Sequence, residues 1–201
     1  LLPLGLAKVR ITGGEPLLRR DLHVLIGLLR DLDADLDIAM TTNGVLLKRN
    51  AEMLLKSGLS RVTVSLDAVE EDLFQTITDS NNTPKQIFEG IDLAQEIGLP
   101  VKVNCVVKKG VNESQIVPMT KACMERRVPV RFIEFMDVGT TNDWNLDAVI
   151  SGKEMREILR NHLGPLEPRK AEHPSDVARL WRLVNGSTVG FIESVTKPFC
   201  G

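Results

Sequence analysis

Apolar and β-branched residues gather in short runs at residues 8–12, 37–42, 61–66, 101–108 and 130–136, each the length of a strand. Between these runs the apolar positions spread to a spacing of three and four. Leu22, Leu25, Ile26 and Leu29 mark one such stripe, and Ile87, Ile91, Ala94 and Ile97 another, which predicts helices with one face laid on a sheet. Gly58 and Gly98 sit where a helix would end and a strand begin, and Pro100 blocks continuation of the second helix. Strands alternating with helices predict a parallel sheet. After Gly139 the pattern changes to a polar loop, a helix over residues 153–161, a proline-containing connector, and runs at 179–184 and 188–194. Asn185-Gly186 between the last two runs is a hairpin signal. The expected fold is α/β: a partial, open barrel of βα units over residues 1–139, with a C-terminal α+β appendage over residues 140–201. A closed eightfold barrel usually needs about 250 residues.

Composition narrows the chemistry. A chain of 201 residues, 43% of them hydrophobic, can bury a core, and it contains no apolar run near the ~18 residues of a membrane span. The net charge of −2 and the lack of like-charge blocks give no case for nucleic acid or an anionic membrane as partner. The first residues lack the flanks of a signal peptide, and the chain reads as a cut into a longer one. Three cysteines, Cys105, Cys123 and Cys200, form no disulfide framework and fit a reducing compartment, cytoplasmic or, in a eukaryote, mitochondrial. Asp33, Asp35 and Asp37 imitate a calcium loop but lack its glycine and terminal glutamate. Three scattered histidines, no nucleophile elbow, no Walker A sequence and no GxGxxG argue against zinc hydrolase, serine hydrolase, P-loop and dinucleotide chemistry.

The remaining candidates lie at the carboxyl ends of the predicted strands, where parallel α/β folds place their sites. They read Thr12-Gly13-Gly14-Glu15, Thr41-Thr42-Asn43-Gly44, Ser65-Leu66-Asp67, Asn104 and Glu134-Phe135-Met136. Any one is equally an ordinary turn; their convergence in a barrel is what points to a small-molecule cavity. Lys8, Arg10, Lys102 and Arg131 add cations to the same strands, with Lys8 and Arg10, and Lys102 and Asn104, each two apart and so on one face. Inward-facing cations suit a phosphate-bearing ligand; outward-facing ones, or ones paired with Glu134 or Asp67, do not need one.

Taken in order, GGEP, TTNG, VSLD, Val101-Lys102-Val103-Asn104, the run from Arg131 to Met136 and Pro198-Phe199-Cys200-Gly201 resemble the molybdenum-cofactor biosynthesis protein A family, radical S-adenosylmethionine (SAM) enzymes that are GTP 3′,8-cyclases. The resemblance implies an incomplete (βα)6 radical-SAM TIM-type barrel and, in the complete protein, two 4Fe–4S clusters, one of which cleaves SAM to a radical that takes hydrogen from GTP C3′. It implies that Gly14, Ser65 and Met136 contact SAM, that Glu15 meets its methionyl ammonium, that Arg10, Thr41 and Lys102 bind GTP with Lys8 and Arg131 adding charge around the triphosphate, and that Cys200 is a ligand of the second cluster. A reductant and a downstream cyclic pyranopterin monophosphate synthase are the implied partners, and a homodimer is left open. The family's CxxxCxxC motif and the later cysteines of the second cluster do not occur in this sequence, so the chain is expected to be a central fragment without activity by itself. Another radical SAM enzyme and a non-catalytic nucleotide-binding module are the alternatives.

Overall fold

A computed structural model of the chain describes residues 5–136, 146–170 and 177–197, arranged in two compact units. The first comprises residues 1–65 and 81–102, the second residues 66–80 and 103–201. In the first unit, β1 (Lys8–Ile11), β2 (Asp37–Thr42) and β3 (Arg61–Ser65) pair in parallel, in that order. They alternate with α1 (Leu22–Leu32) and α2 (Leu47–Lys56), and α4 (Pro84–Glu96) packs against α2. The core is built from the apolar stripes: Ile26, Ile38, Met40, Leu47, Leu54, Val62, Val64, Ile87 and Ile91 are fully buried.

Local chemistry sets the ends of these elements. Thr83 and Gln86 form a capping box at the start of α4, with Pro84 in its first turn, where a missing N–H costs nothing. Gly44 has φ +81°, and a Cβ there would lie 2.8 Å from both Ile87 Cγ2 and Val64 Cγ1, so the turn after β2 has room for glycine alone. One face of α1 stays open: Val24, Leu28 and Leu32, four residues apart, are about half exposed or more.

The second unit is built on β4 (Val101–Val107), whose last five residues belong to it, and on β5 (Val130–Glu134), β8 (Thr188–Ile192), β7 (Arg179–Leu183) and β6 (Leu166–Pro168). β4, β5 and β8 run parallel, while β7 and β6 are antiparallel additions. Helices α3 (Glu71–Thr78), α5 (Ile116–Glu125) and α6 (Gly152–Leu163) complete it. The C-terminal segment thus extends the same sheet as β4 and β5. The expected boundary at 139/140 falls on residues outside those described, and both of its sides belong to this unit. Strand β6 lies in the segment expected to be a connector, because Pro165 and Pro168 mask it and only an edge strand tolerates them.

The hairpin between β7 and β8 turns at Asn185-Gly186 as expected: Gly186 has φ +86°, and the Ser187 N–H donates to Asn185 Oδ1 at 3.0 Å. Arg156 of α6 lies buried between the rings of Trp181 and Phe191, 5.1 and 5.3 Å from their centroids, and its guanidinium donates to Glu193 Oε1 at 3.2 Å. Removing one partner of such a pair leaves an uncompensated buried charge, a cost of about 3–5 kcal/mol. Among the described residues no helix is long and apolar enough to cross a membrane.

Candidate functional site

In the first unit the GGEP loop is organised around its carboxylate. Glu15 Oε1 accepts the Leu17 N–H at 2.9 Å and the Thr42 hydroxyl at 2.7 Å, and Oε2 accepts the Asn43 N–H at 2.8 Å. Glu15 therefore caps the short 3-10 turn that follows it and ties the end of β1 to the end of β2. A carboxylate has about four acceptor sites, so one direction is left for a donor from a ligand. Thr42 passes the restraint on by accepting the Gly44 N–H, and Asn43 Oδ1 accepts the Val45 N–H. Asn43-Gly44 is thus a turn, held in place by Glu15. A Cβ added at Gly13 or Gly14 would meet nothing within 4 Å, so this loop is open on its outer side.

Of the cations on β1, Arg10 reaches Thr41 Oγ1 at 3.5 Å, bringing together two of the residues assigned to GTP. Lys8 lies 3.8 Å from Asp37, which is also paired with Arg61, so its charge is answered within the unit. Ser65 ends β3 on the surface.

Strand β4 sorts its residues by face. Val101, Val103, Cys105 and Val107 are buried, whereas Lys102 and Asn104 on the opposite face are only half-buried. Strand β5 alternates likewise, with Val130, Phe132 and Glu134 buried and Arg131 and Ile133 half-buried. Asn104 stands opposite Arg131 in the register, and Asn104 Oδ1 is buried with no hydrogen-bond partner. Gly190 on β8 makes room for Arg131: a Cβ there would lie 3.0 Å from Arg131 Cγ. Glu134 points to the other face, so the strand-end acid expected to join the site does not share a face with Arg131. Met136, just beyond β5, is half exposed.

The loop after β3 is fastened by residues that the sequence did not single out. Asn112 donates to the Asp67 and Val106 carbonyls at 2.8 and 2.9 Å, and Gln115 Oε1 accepts the Val69 and Glu70 N–H groups. Both amides are essentially buried. Asp67 accepts the Val106 N–H at 2.7 Å; burial pushes its carboxyl above the usual aspartate range, partly offset by that bond. Asn112 and Gln115 lie in the polar stretch 108–115 and carried no local signal, whereas an asparagine two positions from Lys102 was the signal for Asn104.

Cys105 and Cys123 are buried free thiols, and burial drives both upward, Cys123 to about 12, so neither is poised as a thiolate ligand. Among the described residues no group of three or more His, Cys, Asp or Glu is placed to hold a metal ion. Cys200 lies outside the described residues.

Residues 2–123 match the family model of the radical SAM superfamily. The chain belongs to the radical SAM superfamily. Residues 128–201 match a second family model, Molybdenum Cofactor Synthesis C. The GTP 3′,8-cyclases of Staphylococcus aureus strains JH9 and Newman are each 46% identical over 200 residues, 98% of this chain and 58% of theirs. The chain therefore spans a little over half the length of these curated relatives. Streptococcus suis SuiB superposes with a TM-score of 0.62 at 20% identity, over 78% of this chain and 36% of that one. A domain of pyruvate-formate lyase-activating enzyme from Bacteroides vulgatus gives 0.59 at 17%, over 76% and 90%. These likenesses establish the fold, and the mostly parallel α/β architecture agrees with the partial TIM-type barrel expected of a radical SAM protein.

Superfamily membership implies SAM and a 4Fe–4S cluster. Features of the first unit fit the first of these: an open glycine loop and one remaining acceptor direction on Glu15. The described residues do not fit the second, since the described cysteines are buried and unclustered.

Proposed function

We propose that the protein to which this chain belongs is a GTP 3′,8-cyclase, using SAM to convert GTP to its 3′,8-cyclised dihydroguanosine triphosphate. The observation that carries the reading is the 46% identity to the Staphylococcus aureus cyclases over 98% of the chain. The placement of the cations supports it: Arg10 beside Thr41 in one unit, and Arg131 opposite Asn104 in the other. Arginine forks and a lysine point charge are the side chains that hold phosphate oxygens. On this reading Arg10, Thr41 and Lys102 hold GTP, with Lys8 and Arg131 contributing charge.

Gly14, Glu15, Ser65 and Met136 hold SAM, which when bound supplies the hydrogen-abstracting chemistry. Glu15 accepts from the methionyl ammonium through its remaining lone-pair direction, while its three existing bonds keep the loop from following the ligand. Cys200 supplies one ligand to a second 4Fe–4S cluster. A reductant and a synthase that consumes the cyclised product are the partners that this reaction requires.

The test is Lys102→Ala in the full-length protein, with GTP and SAM affinities measured separately by calorimetry. A charge-assisted contact to phosphate contributes about 1.5–3 kcal/mol, so GTP affinity is expected to fall roughly ten- to hundredfold while SAM affinity holds. Equal GTP affinity in the two proteins refutes this assignment.

A further inference from the structure

Away from the glycine loop and the strand ends, the first unit carries two adjacent surface depressions that share Arg49 and Met53 of α2. The chain as a whole has a net charge of −2, yet Arg19, Arg20, Lys48, Arg49 and Lys56 line these depressions against a single acid, Glu52. Three of the cations are answered within the unit: Arg19 by Asp21 at 3.1 Å, Lys48 by Glu89 at 2.9 Å and Lys56 by Glu52 at 3.5 Å. Arg20 and Arg49 are exposed and make no ion pair among the described residues. An apolar lining lies beside them. Leu17 and Leu22 are buried, Leu46 and Met53 are half-buried, and Leu18 is 72% exposed.

This surface is ordered by the chain itself. Glu15 caps the short turn through the Leu17 N–H, and the Arg19 N–H donates to the Pro16 carbonyl at 3.0 Å. Leu18 and the two arginines after it are thus set out on a fixed turn, which lowers the ordering cost of binding. On α2 the lining residues 46, 49, 50, 53, 56 and 57 recur at three and four and form one helix face. From Leu46 to Ser57 that face runs about 16 Å at 1.5 Å per residue, the reach of roughly five residues of extended chain. A single small anion would leave most of this length unused. A bilayer takes up apolar side chains that project, and of the apolar lining only Leu18 is exposed.

We propose that this groove is a docking site for an acidic segment of another protein. An apolar side chain of that segment seats against Leu18, Leu46 and Met53, and the carboxylates flanking it pair with Arg20 and Arg49. An apolar anchor carries the affinity of such contacts, while complementary charge selects the partner and speeds encounter. This goes beyond the cyclase reading and does not depend on it.

The experiment titrates the full-length protein at low ionic strength, where surface charge is least screened. The probes are a labelled peptide of glutamates around a central leucine, the same peptide with serine for the leucine, and phosphatidylserine vesicles. Wild type is compared with Arg49→Glu and Leu18→Ser, both at exposed positions where substitution leaves the fold intact, and thermal unfolding is read beside binding. The leucine peptide is expected to bind about tenfold more tightly than the serine peptide, and Arg49→Glu to weaken both by about tenfold or more. Leu18→Ser is expected to weaken the leucine peptide alone, the signature of a direct contact between the two side chains. No binding, equal affinity for the two peptides, or affinity unchanged in Arg49→Glu overturns the proposal. Vesicle binding or self-association of the protein that Arg49→Glu abolishes also overturns it, since the groove would then belong to a bilayer or to a second copy.

Discussion

Replacing Glu15 separates a loop-holding carboxylate from a ligand contact. Glu15→Ala removes all three acceptor contacts, to Leu17, Thr42 and Asn43. Bonds to a charged acceptor contribute about 1.5–3 kcal/mol when sheltered and nearer 0.5–1.5 when water can replace the acceptor. Thr42 is buried and Asn43 is exposed, so counting the Thr42 bond as sheltered and the other two at the lower range gives a loss of about 2.5–6 kcal/mol. Glu15→Gln is different. Its oxygen can stay on the Leu17 and Thr42 side, leaving only the exposed Asn43 N–H facing an amide NH₂, at a cost of about 1 kcal/mol. Urea unfolding of the full-length protein, with the slope held common, gives both values, and hydrogen exchange at the Asn43 and Leu17 amides locates the loss. Expected are fast exchange at both amides in Glu15→Ala and at Asn43 alone in Glu15→Gln. Equal destabilisation by the two variants, or none by either, refutes the division of labour between the two oxygens. Because Glu15→Gln keeps most of the fold, its SAM affinity then reports on the contact with the ammonium rather than on the loop.

Gly44→Ala is expected to cost about 2–5 kcal/mol, combining ~1–2 for a left-handed residue with ~1–3 for overpacking against Ile87 and Val64, and an unchanged urea midpoint would count against the crowding seen there. Asp67→Asn keeps the acceptor for the Val106 N–H but removes a carboxyl whose native pKa is raised by burial. The folded wild type takes up its proton at a higher pH than the unfolded chain, so the wild type gains stability as pH falls through the raised native value and stops gaining below the ordinary value of 3.8. The variant is therefore expected to be at least as stable as wild type at pH 7 and to lose that advantage on acidification; a gap that does not move with pH contradicts the assignment.

The βα half of the chain was legible because its strands are short apolar runs flanked by glycine and polar breaks, and β1 to β5 fall within two residues of the expected runs. What the pattern could not carry was the pairing of side chains distant in sequence. Glu15 reads as a ligand residue, yet most of its capacity goes to the neighbouring strand end, 27 and 28 residues away. Lys8 and Arg10 share a face as their spacing requires, but Asp37 claims the first and Thr41 the second, and the identity of those partners is set by register. Glu134 was grouped with the site by its place at a strand end, and only the alternation of buried and half-buried residues in β5 shows that it faces the other way. Asn112 and Gln115 escaped notice because nothing in their immediate neighbourhood tells a buried amide from an exposed one.

The stacking of Trp181 on Arg156 has a practical corollary. The chain has two tryptophans, Trp144 and Trp181, and both follow residue 103, so the first compact unit is silent in indole emission. Fluorescence then follows the second unit alone, while far-ultraviolet dichroism sees both units. Two melting curves that part company would mean that the glycine-loop half and the cysteine-bearing half have separate lifetimes, and a two-state analysis of either curve would misjudge the other.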